Sequence, residues 1–223
     1  MKEPKSLLKG IVEYYAERAD VYDETAGYTN AEAEKLRNPI KERYRRLFAG
    51  HDVLEIACGT GYWTQVIGEV AKSLLATDIN QSVINLACRR CSDLHNVEFC
   101  LADAFSLRGI PNHFTAAVAI WWWSHIPKNA IGTFLNALHS KLVPGAVVLF
   151  SDHLSSVFAS YRVDADGNNI ELRTLPDGRS FEVVKNYPSE REITDALGDS
   201  VDNIKYTERP VENSWMLTYT TGR

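Results

Sequence analysis

Val53-Leu54-Glu55-Ile56-Ala57-Cys58-Gly59-Thr60-Gly61 is the stretch whose reading decides the fold. Apolar Val53, Leu54 and Ile56 flank acidic Glu55, small residues follow, and Gly59 and Gly61 bracket Thr60, the pattern of a buried parallel strand entering a tight turn. The turn is expected to open a helix over Tyr62 to Ala71. Glycines at such a junction let backbone approach a ligand with no Cβ in the way, and the free N–H groups of the helix start make a weakly positive rim. A nucleotide-like ligand is expected there. The plain alternative is an ordinary strand-to-helix turn, so residues farther along have to decide.

Two later strands supply the decision. Ser73 to Thr77 is apolar and ends in Asp78, at about the spacing where an acid on the second strand accepts hydrogen bonds from ribose hydroxyls. Val97 to Leu101 ends in Ala102-Asp103-Ala104, placing another short acid at the same carboxyl edge, where open α/β sheets bind ligands. Asn80 reads as the cap of a second crossover helix, Asn80 to Cys91, and Phe114 to Trp123 and Ala146 to Phe150 as further strands. Alternating helices and strands predict a parallel sheet covered on both faces.

Composition narrows the function. The 223 residues, 45% hydrophobic and 24% charged, suit one core with decorations. A formal net charge of -5 argues against broad nonspecific binding to nucleic acid, which depends on neutralising phosphates. Lys41, Arg43, Arg45 and Arg46 read as a solvated helix face, with a local basic patch as the other reading. With no signal-peptide pattern and no apolar run of ~20 residues, a cytoplasmic protein with no membrane partner is expected. Cys58, Cys88, Cys91 and Cys100 should then be reduced thiols. Cys88, Cys91, His95 and Cys100 approach the spacing of a zinc knuckle, yet Cys88 and Cys91 share the apolar rhythm of a helix and Cys100 lies in a strand, so no metal is expected.

The flanks carry their own signals. Leu7, Leu8, Ile11, Val12, Tyr15, Ala19 and Tyr22 form a helical stripe that Gly27 breaks, and a second helix is expected over Ala31 to Phe48 with Asn30 as cap and a kink or break near Asn38, before Pro39. Residues 1–49 read as a helical cap on a core of 50–223. Over 155–188 the alternation stops; Asp166-Gly167 and Asp177-Gly178 read as hairpin turns in an antiparallel insertion that either covers the site as a lid or makes a dimer contact. Ser189 and Glu192 start a helix as a capping pair, and Ile204 to Arg209 and Trp215 to Thr221 read as the last strands.

VLEIACGTG, LLATDIN and LADAF together resemble the first motif, the ribose-binding acid and the adenine-binding loop of class I S-adenosylmethionine-dependent methyltransferases of the small-molecule type. The resemblance covers most of the chain. It departs at Ala57, where the family has Gly, and at Thr115, where Asp is usual. It implies a Rossmann-like seven-stranded, mostly parallel sheet with helices on both faces and an antiparallel C-terminal hairpin. It further implies S-adenosylmethionine as cofactor, S-adenosylhomocysteine as product, and a cofactor site of Glu55, Ala57, Gly59, Gly61, Asp78, Ile79, Asp103, Ala104 and Trp121. Glu55 would orient the methionine end, Asp78 the ribose, and Asp103 with Ala104 the adenine.

The acceptor is expected to be a small molecule, methylated by in-line displacement, in a monomer or homodimer. Tyr22, Tyr28, Trp122 and Trp123 are the expected substrate wall, or else core rings; strand alternation would put Trp121 and Trp123 on one side and Trp122 on the other. His125 and His153, at strand ends, are candidate bases, with helix capping the other reading of His125. Three rivals remain. A nicotinamide-dependent dehydrogenase expects a third glycine where Thr64 stands. A nucleic-acid or protein methyltransferase fits an acidic chain poorly, and the Trp-Trp-Ser-His-Ile-Pro after the fourth strand lacks the [DN]-P-P-[YF] motif of amino-methylating DNA enzymes. A noncatalytic cofactor-binding module is excluded by no motif.

Overall fold

The computed structural model describes residues 4–155 and 161–222. It runs α1 (Pro4–Arg18), α2 (Tyr22–Thr25), α3 (Ala31–Phe48), β1 (Asp52–Ile56), α4 (Tyr62–Gly68), β2 (Ser73–Asp78), α5 (Gln81–Arg90), β3 (Val97–Leu101) and β4 (Phe114–Ile120). There follow α6 (Ile131–His139), β5 (Leu142–His153), β6 (Arg162–Val163), β7 (Asn169–Thr174), β8 (Ser180–Val184), α7 (Glu190–Leu197), β9 (Val201–Arg209) and β10 (Ser214–Thr221). Seven strands form one sheet in the order β3-β2-β1-β4-β5-β10-β9. The first five are parallel, and β10 runs antiparallel to both β5 and β9, so the fold is the Rossmann-like one with a closing hairpin.

The apolar strands explain why both faces are covered. Val53, Ala116 and Val118 point to one side, where Tyr44 and Phe48 of α3 and Trp63 and Ile67 of α4 cover them. Leu54, Ala117 and Val148 point to the other, under Phe134 and Leu138 of α6 and Ile193 of α7. Each fully buried ring or branched chain contributes about 1.5–3 kcal/mol, and truncating Phe134 to Ala should cost ~3–5 kcal/mol. Pro39 does not break α3: the helix continues because Ile40, Tyr44 and Phe48 keep its inner face buried. At its start the Asn30 side chain accepts from the N–H groups of Glu32 and Ala33. α7 starts with the expected capping box between Ser189 and Glu192. Asn80 precedes α5, but its side chain makes no cap bond.

β6, β7 and β8 make a separate antiparallel sheet turned at 164–168 and 175–179. α1 lies on it, with Ile11 and Tyr14 packed against Ile170, Leu175, Val183 and Val184. The approach is close: a Cβ at Gly10 would stand 2.5 Å from the Glu182 carbonyl oxygen. Two segments far apart in the chain thus form one cover. Positions 156–160 of the expected insertion, and the Leu7 and Leu8 side chains of the stripe, lie outside the described residues.

Candidate functional site

The carboxyl ends of β1, β2 and β4 open on a crevice of about 430 Å³ walled by Gly59, Asp78, Asp103, Phe105, Trp121 and Trp122. The two acids are fixed by backbone. Asp78 accepts from the N–H of Gly59 at 3.0 Å and of Asn80 at 2.9 Å, which ties the glycine turn to the end of β2. Asp103 accepts from the Phe105 N–H at 2.9 Å. Burial raises the Asp78 pKa, opposed by those backbone bonds. Ile79, Asn80 and Ala104 complete this edge.

The glycines of the turn divide their work. At Gly59, with φ +56°, a Cβ would meet nothing within 4 Å, so its open side is the crevice. Gly61, with φ +80°, turns away: a Cβ there would stand 2.8 Å from the Ala87 Cβ and 2.9 Å from its Cα. Gly61 is therefore small so that α4 can pack on α5, and it is not among the residues that wall the crevice. Ala57 lines the crevice at φ +54°, a left-handed conformation that costs a non-glycine residue about 1–3 kcal/mol. Glu55 lies beneath the crevice rather than in its wall; it is buried, one carboxylate oxygen has no partner, and burial pushes its pKa up to about 8.

Strand alternation fails at the tryptophans because β4 ends at Ile120. Trp121 takes φ +60°, and Trp123 to His125 form a helical turn. Trp121 and Trp122 both face the crevice, whereas Trp123 is buried against Phe150 and Trp215 on the far side, so its expected role as substrate wall is corrected to core.

A second chamber of about 420 Å³ adjoins the crevice, sharing Tyr15, Tyr22 and Trp121 with it. Tyr28 and His153 line this chamber, with Arg18, Arg37, Arg173, Lys185 and Arg209. The His153 ring lies 4.4 Å from the Trp121 ring at a tilt of 32°, and its Nδ1 lies 3.2 Å from Asp152. Burial lowers the His125 pKa well below the usual imidazole value, and both its ring nitrogens are taken. Nδ1–H donates to the Val184 carbonyl at 2.7 Å, and Nε2 accepts from the Tyr15 hydroxyl at 2.8 Å. As a base it has no free nitrogen, and a proton would reach it only through Tyr15. Behind the chamber the Lys185 ammonium donates to Ser124 Oγ at 2.6 Å and pairs with Asp152 at 3.3 Å. Burial alone would raise the Asp152 pKa, but Lys185 and His153 hold it far below the carboxylate range.

A latch joins the cap to the glycine turn. Asp23, in α2, pairs with Arg90 and accepts from the Thr60 hydroxyl at 2.6 Å, while Arg90 donates to the Thr60 carbonyl at 2.7 Å. Sequence reading missed this latch, the Tyr15–His125 pair and the chamber's cations. Cys88 is exposed and Cys91 buried on either side of one helix turn, and among the described residues no three His, Cys, Asp or Glu are placed to hold a metal ion. No described helix is long and apolar enough to cross a membrane.

The fold agrees with known proteins. A family profile described as a methyltransferase domain matches residues 53–145. The structure of DhpI complexed with SAH is 31% identical, covers 99% of each chain, and superposes with a TM-score of 0.79. The chain belongs to the S-adenosylmethionine-dependent methyltransferases. A second DhpI structure, a complex with SAM and HEP, is 29% identical over 98% of this chain and 99% of that one, with a TM-score of 0.76. Malonyl-[acyl-carrier protein] O-methyltransferase of Bacillus cereus is 27% identical over 69% of this chain and 57% of its own length. Demethylmenaquinone methyltransferase of Staphylococcus saprophyticus is 20% identical over 67% of this chain and 64% of its own length. The chain thus spans less than two thirds of these two curated relatives. S-adenosylmethionine is this methyltransferase's cofactor, and the crevice fits it: Gly59 leaves a cradle that a Cβ would fill, with two acids at its rim.

Proposed function

We propose that this methyltransferase transfers the methyl of S-adenosylmethionine to a small molecule held in the chamber beyond Trp121. The observation that carries this reading is the shared wall: Tyr15, Tyr22 and Trp121 face the crevice on one side and the chamber on the other. In this reading Asp78 holds the ribose, Asp103 and Ala104 the adenine, and the Gly59 backbone lies against the cofactor. Glu55, buried beneath the crevice rather than in its wall, would orient the methionine end only from behind. The bound cofactor supplies an electrophilic methyl on a sulfonium. Trp121 and Tyr22 offer π faces beside that cation, and the cap formed by α1 and the β6–β8 sheet keeps water out. Positioning two reactants in a dry site supplies several kcal/mol of the barrier, on the order of the ~7–11 kcal/mol ceiling for well-oriented pairs.

The names of the curated relatives, one acting on demethylmenaquinone and one on a malonyl-acyl carrier, support methyl transfer and leave the acceptor class to the chamber. Supplying labelled S-adenosylmethionine with a metabolite extract tests the reading. One labelled small molecule is expected; adenosylhomocysteine binding with no labelled compound would instead favour a noncatalytic cofactor-binding module.

A further inference from the structure

The chamber carries a charge pattern that methyl transfer alone does not demand. Five cations, Arg18, Arg37, Arg173, Lys185 and Arg209, line it against one carboxylate, Glu212. Three are matched: Arg173 pairs with buried Glu171, Lys185 with buried Asp152, and Arg209 with Glu212 at 3.0 Å. Glu171 and Asp152 do not line the cavity, so these two cations stand between it and their counter-charges.

Arg18 and Arg37 differ. Among the described residues neither forms an ion pair within 4 Å, and only Arg37 has a carboxylate, Glu34, near enough to feel its charge. Arg18 donates to the Thr25 hydroxyl at 2.6 and 3.0 Å, and Arg37 to the carbonyls of Gly27 at 2.7 Å and Ala26 at 3.1 Å. Their guanidinium carbons sit 4.8 Å from the Tyr22 ring centre and 5.1 Å from the Tyr28 ring centre. Both are half-buried, so two positive charges are held partly out of water with only neutral groups as hydrogen-bond acceptors. That arrangement is costly when the chamber holds no anion, and an anionic guest offsets it. Guanidinium groups also offer paired donors that match the oxygens of such a guest.

We propose that the chamber recognises its acceptor by an oxyanion head, a phosphoryl, phosphonyl, sulfate or carboxylate group, whose charge Arg18 and Arg37 neutralise. This rests on reading the chamber as the acceptor site. A neutral acceptor would leave the Arg18 charge uncompensated and the Arg37 charge offset only by Glu34, and a cationic one would add repulsion. The head lies on the chamber side of Trp121, with Tyr28 among its neighbours and the rest of the molecule directed toward the shared wall.

The test is calorimetric, on the full chain saturated with adenosylhomocysteine, using inorganic phosphate, sulfate, acetate, glycerol and choline as probes. At least one of the three anions should bind and weaken as KCl rises; glycerol and choline should not bind. Stronger phosphate or sulfate binding identifies a tetrahedral head, stronger acetate binding a planar one. Arg18→Gln and Arg37→Gln should each weaken the preferred anion about tenfold, the loss of one charge-assisted hydrogen bond, while Arg37→Lys keeps most of the affinity. A single cooperative melting transition and an unchanged adenosylhomocysteine affinity in the Gln variants certify their folding. If all three anions fail to bind while adenosylhomocysteine binds, or if the double Gln variant binds phosphate like the wild type, the inference is overturned and the proposed function stands. Failure of adenosylhomocysteine itself to bind overturns the proposed function instead.

Discussion

The crevice and the chamber share a wall but are built by different means. The crevice is made by strand ends: Gly59, Asp78 and Asp103 each follow an apolar run, and backbone N–H groups fix both carboxylates. The chamber is made by docking α1 and the β6–β8 sheet over the main sheet, and side chains in charged pairs fix its lining. Backbone geometry set by the sheet makes a site that tolerates changes in its surroundings. A site held by buried ion pairs depends on each partner, because the survivor of a broken pair is left as an uncompensated charge.

The sharpest break is at Asp152. It receives the Ser124 N–H at 2.8 Å and the Lys185 ammonium at 3.3 Å, and its side chain is fully buried. Asp152→Ala should cost ~3–5 kcal/mol and lower the melting temperature by about 10 °C in scanning calorimetry. The folded fraction should keep adenosylhomocysteine affinity within a few-fold. A melting temperature within 2 °C of wild type, on the scale of about 2–4 °C per kcal/mol, would break the contrast.

A paired experiment on the glycine turn comes next. Gly61→Ala forces its Cβ onto Ala87 and puts alanine in the left-handed region, so it should destabilise by ~1–3 kcal/mol without weakening adenosylhomocysteine in the folded protein. Gly59→Ala meets no protein atom but fills the cradle; it should weaken adenosylhomocysteine with a smaller thermal cost. Reversed outcomes would place Gly61 against the cofactor.

The last effect expected is a pH slope. Burial raises Glu55 to about 8, so the folded protein keeps its carboxyl protonated where the unfolded chain ionises near ~4.3. The unfolded state therefore releases this proton first, and stability from this group is present below about pH 4.3 and lost as pH rises toward 8. Glu55→Gln should flatten the fall of melting temperature between pH 5 and 8. An identical slope in both proteins would mean that Glu55 is ionised in the fold.

The same contrast governs how much the sequence revealed. β1, β2 and β3 were legible because each apolar run ends at the residue that faces the crevice, and periodicity reports such neighbours directly. Trp121 was misread because its left-handed backbone ends β4 three residues early, and no local pattern announces that turn. A break near Asn38 does not occur because packing of α3 outweighs one missing N–H. Tyr15 meets His125 across 110 residues, and Arg18, Arg37, Arg173 and Lys185 meet only once the cover has docked. Such convergence is a property of the tertiary fold alone.

The most direct test of the account is a calorimetric titration of adenosylhomocysteine into wild type and Asp78→Ala. A carboxylate hydrogen bond is worth roughly 1.5–3 kcal/mol, so the variant should bind about ten- to a hundredfold more weakly. Equal affinities would contradict the placement of the adenosine at the ends of β1 and β2.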